Sequence, residues 1–101
     1  MNNRTITLDS ALEILRKYKP IFEEKYGITK LGVFGSVARG DSGVGSDVDV
    51  VVMMKKPDLY FVVHMKEELE DEYQASVDII HYREKMNPFL KQRIDKEAVY
   101  V

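Results

Sequence analysis

Two aspartates, Asp47 and Asp49, open an apolar, β-branched run over residues 48–53. Aspartate is depleted in strands, so acids at the mouth of such a run point to chemistry rather than folding. Strand side chains alternate, which puts both carboxylates on one face with Cα atoms roughly 6 to 7 Å apart. Carboxylates so placed repel unless a cation lies between them, and hard oxygen ligands suit Mg²⁺. The competing reading is structural: Asp47 caps a turn and Asp49 ends a strand at solvent. Twelve residues upstream of Asp47 another short apolar run, residues 31–34, leads into Gly35-Ser36. Gly35 allows positive φ or close backbone approach, Ser36 supplies a hydroxyl, and backbone N–H groups that follow a strand can cradle phosphate oxygens. Arg39 adds a cation that can pair with a triphosphate, although an exposed turn arginine has the same sequence signature.

The spacing is neither a Walker A loop nor a dinucleotide-binding fingerprint. Taken together, Gly35-Ser36-x-Ala38-Arg39-Gly40 and Ser46-Asp47-x-Asp49 resemble the signature of the minimal nucleotidyltransferases of the DNA polymerase beta superfamily, with no departure at the motif positions. The resemblance implies a small mixed α/β (α+β) sheet flanked by helices and a third carboxylate on a later strand, matched here by Asp78. It further implies two Mg²⁺ ions held by Asp47, Asp49 and Asp78, ATP as substrate, and Gly35, Ser36, Arg39 and Ser46 around the nucleotide. Stand-alone relatives of this size are antitoxins that move AMP from ATP to a tyrosine of a HEPN-type ribonuclease toxin, and such a toxin is the implied partner. A different class of function stays open: a module that neutralises a partner by stoichiometric binding, its acids retained for structure.

The elements that must position these residues are legible in outline. Leu8, Leu12, Leu15, Tyr18, Phe22 and Tyr26 recur at helical spacing, with Thr7 or Asp9 as cap and Ser10 to Glu13 as an alternative capping box. Pro20 predicts a kink or break near Lys19. Gly27 ends the helix, and residues 30–34 form a first strand. After the aspartate strand, Asp58 caps a second long helix whose inner face is assigned to Leu59, Val62, Val63, Lys66, Leu69 and Tyr73. Residues 75–81 then return to the sheet, parallel or antiparallel, with Ser76, Asp78 and Ile80 on one face. The acidic run Glu67, Glu68, Glu70, Asp71 and Glu72 is the wet face of that helix. Pro88 starts a last helix with Phe89, Leu90 and Ile94 inward and Lys85, Lys91, Arg93 and Lys96 on a basic side. Residues 98–101 can add a short strand. His64 and His81 are read as surface or packing residues.

Composition narrows the possibilities. One hundred and one residues (1–101) make one domain with a modest core, leaving no room for a separate acceptor-binding domain. Absence of cysteine excludes disulfides, thiol catalysis and thiolate metal sites. A formal net charge of −2 argues against bulk nucleic-acid binding. No apolar run reaches membrane or signal length, so a cytoplasmic location without membrane association is expected.

Overall fold

A computed structural model of the chain describes residues 5–41 and 47–101. Its first helix, α1 (Leu8–Tyr26), begins at Thr7, whose hydroxyl accepts from the Ser10 N–H at 3.1 Å while Ser10 Oγ accepts from the Thr7 N–H at 3.0 Å. This reciprocal box satisfies two N–H groups that the first turn leaves without partners. Gly27 closes the helix in the left-handed region. Of the kink or break expected near Lys19, the break does not occur, and α1 continues through Pro20 as one helix of 19 residues. Ala11, Leu12 and Leu15 before the proline and Phe22 after it are buried in one core, so packing on both sides outweighs the lost hydrogen bond.

Four strands follow with three further helices between them. They are β1 (Ile28–Phe34), α2 (Gly35–Arg39), β2 (Val48–Met54), α3 (Leu59–Tyr73), β3 (Val77–His81), α4 (Pro88–Glu97) and β4 (Val99–Tyr100). The sheet order is β3-β2-β1-β4. β1 runs antiparallel to β2 and to β4, whereas β2 and β3 are parallel, joined by the α3 crossover. β1 starts two residues earlier than expected, because Ile28 is buried and pairs with Met54 across a register shift.

Alternation divides the sheet into two faces. Leu31, Val33, Val48, Val50, Val52 and Val77 turn toward α1 and α3 in the larger core. Phe34 and Val51 turn the other way and pack with Ile94 of α4 in a smaller one. The buried stripe of α3 is Met65, Leu69 and Tyr73, and Tyr73 donates its hydroxyl to the Ala11 carbonyl at 2.7 Å. Leu59 is 79% exposed and Val63 is exposed too, which corrects the expected inner face: the true stripe runs 62, 65, 69, 73, and Met65 takes the place assigned to Lys66. Nor is the acidic run only a wet face. Glu68 and Glu72 accept from Tyr26 and Tyr18 of α1, and Glu70 accepts from the Val77 N–H at 3.0 Å.

Asn87 caps α4 through bonds to the N–H groups of Phe89 and Leu90. Phe89 was expected inward but is 75% exposed; Leu90 and Ile94, four apart, share the inner stripe, and Phe89 lies about 100° round the helix from Leu90. Ile94 is fully buried and clamps α4 to the sheet. Ile94→Ala is expected to cost about 2 to 5 kcal/mol of stability, measured by chemical denaturation, with loss of order centred on α4.

Candidate active site at the junction of three strands

The site is assembled by strand register. Phe34, the last residue of β1, pairs with Asp49 of β2, and Asp49 pairs with Asp78 of β3. Neighbouring strands lie about 4.8 Å apart, so the end of β1 and the two carboxylate positions form one row across the sheet. Directly paired residues share a face, and here it is the face covered further along by α4. Asp47 precedes Asp49 by two and is exposed, Asp49 is half-buried, and Asp78 is exposed on the edge strand. Asp78 thus stands beside Asp49 in register, on the face that also carries Asp47.

Gly35 turns the chain out of β1 with φ 76°. A Cβ at this position would collide with Asp49 Oδ2, so the backbone passes against that carboxylate in a way only glycine allows. Ser36 and Arg39 follow within α2, and Gly40 closes it with φ 79°. Ser46 lies outside the described residues.

Electrostatics mark Asp49 as the crowded acid. Burial pushes its carboxyl above the ordinary value, and the charges of Asp78 and Asp47 push the same way, while Arg93 and Arg39 pull it down. Desolvation and like charge both disfavour the ionised form, which is the condition a bound cation relieves. The donor set, all carboxylate oxygen, fits a hard divalent ion such as Mg²⁺. Among the described residues the side chains are not already drawn together into a set of three metal ligands. The fit therefore lies in charge and donor type.

Two residues on α4 reach this site. Glu97 Oε1 accepts from the Gly35 N–H at 3.2 Å and from Arg39 Nη1 at 3.0 Å. Arg93, one turn earlier, holds its guanidinium 6.0 Å from the Phe34 ring centre and its Nη2 4.0 Å from Glu97. Arg39 also donates from Nε to Asp41 at 3.1 Å. Sequence reading placed Arg93 on a basic helix side and did not single out Glu97. Lys66 of α3 pairs with Glu70 at 2.7 Å, a contact that holds the lysine's proton affinity above the ordinary value, and the charges of Asp78 and Asp47 push it the same way. His64 packs edge-on to Tyr60, in the first turns of α3, and burial lowers the His81 proton affinity; neither joins the acids.

Comparison with known proteins defines the class. The family model described as "Nucleotidyltransferase domain" matches residues 15–101, and the chain belongs to that family. A Methanocaldococcus jannaschii protein provisionally named a protein adenylyltransferase is 33% identical over 96 residues, spanning 94% of this chain and 98% of the relative. Protein adenylyltransferase MntA of Thermococcus cleftensis is 31% identical over 97 residues, spanning 95% and 97%. A solved structure provisionally described as a minimal nucleotidyltransferase superposes with a TM-score of 0.72 at 30% identity, covering 92% of this chain and 94% of that one. Two toxin–antitoxin structures illustrate the recurrence of the fold at lower identity. One is a toxin–antitoxin structure with AMP-PNP, with TM-score 0.72, 18% identity and 84% and 69% coverage. The other is a tri-AMPylated Shewanella oneidensis HEPN toxin in complex with an MNT antitoxin, with TM-score 0.64, 16% identity and 89% and 69% coverage. Among the described residues no helix is long and apolar enough to cross a membrane.

Proposed function

We propose that this chain, acting as one nucleotidyltransferase domain in the cytoplasm, moves AMP from ATP onto a tyrosine hydroxyl of a HEPN-type toxin and thereby serves as its antitoxin. The carrying observation is the row in which Gly35 lies against Asp49 and Asp49 pairs with Asp78. It puts a glycine-permitted backbone turn, suited to phosphate, beside carboxylates suited to a divalent cation. Support for the chemistry comes from the adenylyltransferase names of the relatives, and support for the partner from the toxin complexes that share the fold.

In this reading Gly35 and Ser36 hold the β- and γ-phosphates, Arg39 pairs with the triphosphate, Ser46 belongs to the nucleotide site, and Asp47, Asp49 and Asp78 would hold Mg²⁺. Bound there, Mg²⁺ supplies charge neutralisation on the phosphates and a lowered pKa for the acceptor hydroxyl. Asp78, exposed on an edge strand, accepts the hydrogen bond of the incoming hydroxyl and takes its proton. The new bond joins the tyrosine oxygen to the α-phosphorus, and the α–β bridge breaks to release pyrophosphate. The side chains act mainly by position and charge.

Intact mass of the candidate toxin, after incubation with this protein, ATP and Mg²⁺, tests the reading. One or more AMP units should appear, and a chelator should prevent them. A tight complex that silences the toxin without any mass increase would make the protein a stoichiometric binding module instead.

A further inference from the structure

The Glu97 carboxylate occupies donors that a phosphate needs. Its Oε1 takes the Gly35 N–H at 3.2 Å and Arg39 Nη1 at 3.0 Å, a backbone amide and a guanidinium converging on one anionic oxygen. Anionic acceptors shared between backbone N–H and arginine are the pattern by which phosphate oxygens are held. The Glu97 side chain is only 18% exposed, so the carboxylate is seated rather than waving in solvent. Its displacement has a landing place: Arg93 Nη2 is already 4.0 Å away on the same helix.

We propose that Glu97 is a built-in competitor for the triphosphate subsite, an internal carboxylate that nucleotide must displace before Gly35 and Arg39 can take phosphate oxygens. This inference rests on the nucleotidyltransferase reading of Gly35 and Arg39. Nucleotide binding is then coupled to movement at the last turn of α4, immediately before β4. Glu97 sets the affinity for the phosphates and not for the base.

The test is calorimetric titration of a non-hydrolysable ATP analogue and, separately, of inorganic tripolyphosphate, each with Mg²⁺, into wild type, Glu97→Gln and Arg39→Ala. Glu97→Gln keeps the shape and removes the charge. It is expected to bind both ligands about tenfold more tightly, the scale of one charge-assisted hydrogen bond no longer contested. Arg39→Ala is expected to bind both more weakly. Unchanged or weaker binding by Glu97→Gln, with Arg39→Ala still impaired, would show that Glu97 merely holds Arg39 in place; the proposal would fall and the nucleotide reading would stand. Tightening for the ATP analogue alone, absent for tripolyphosphate, would place the effect away from the phosphates and equally overturn it. No binding by any variant that melts like wild type would remove the nucleotide reading and this proposal with it. If Glu97→Gln fails to fold, Glu97→Ala, which also removes the competing carboxylate, is read by the same criteria.

Discussion

Asp49→Asn is expected to lower AMP transfer by at least about a hundredfold while leaving the protein more stable than wild type, a combination that ordinary core damage cannot produce. Activity falls because the central carboxylate of the row is lost, the group that under the transfer reading would hold the cation between the Gly35 side and the Asp78 side of the site. Stability rises because the native fold holds Asp49 under burial and beside the like charges of Asp78 and Asp47. The sign follows from linkage. A carboxyl whose folded pKa lies above its unfolded value binds more protons in the folded state, so stability declines as pH rises from the ordinary carboxylate value through the raised one. Above that window wild type carries the full penalty, and Asn carries none of it. Thermal melts at neutral and acidic pH, with no added metal, check this: the variant's advantage should shrink toward low pH. A variant less stable than wild type at neutral pH would contradict the crowded-acid picture.

Gly35→Ala should be the most damaging of the glycine substitutions for function. At φ 76° an alanine pays left-handed strain, about 1 to 2 kcal/mol. Gly27 and Gly40 carry similar φ values, 68° and 79°, yet a Cβ at either meets nothing within 4 Å. The three glycines therefore separate strain from collision. Gly27→Ala and Gly40→Ala are expected to lose strain energy only, roughly 4 to 8 °C in Tm per kcal/mol. Gly35→Ala must also drive Asp49 Oδ2 from its position, and a displacement of about 1 Å near reacting atoms can cost a hundredfold in rate. Steady-state rates measured below the melting temperature of each variant distinguish the two effects. Equal losses at Gly35 and Gly40 would mean that the approach to Asp49 has no role in catalysis.

Local signals carried much of this architecture. Thr7, Gly27, Asp58 and Pro88 mark helix ends through short-range hydrogen bonds and φ preferences, which depend on neighbouring residues alone, although the capping box that forms joins Thr7 to Ser10 and not Ser10 to Glu13. Two-residue periodicity placed Asp47 with Asp49; Asp78 was singled out by the family resemblance, and only the parallel pairing of β2 with β3 sets it beside Asp49. Longer-range facts were out of reach. Pro20 argues for a break, but burial of Leu15 and Phe22 by other elements keeps α1 whole. Leu59 and Phe89 look inward by hydrophobicity and prove exposed, because the stripe is set by what each helix packs on. Glu97 lies 62 positions from Gly35 and shows no periodic or motif signal, so its contact with that amide exists only once the sheet is assembled.

The position of Asp78 on an edge strand has a bearing on selectivity. Among the described residues β3 ends the sheet, so its acid stands at a rim, while Asp49 is enclosed between two neighbours. Under the transfer reading, the nucleotide side is framed by the protein and the acceptor side is open border. A border of this kind excludes nothing by size: a tyrosine carried on a whole folded protein can arrive there as readily as a free small molecule. Discrimination among acceptors then falls to whatever surface the acceptor uses to dock, and the chemistry itself stays indifferent to the rest of it.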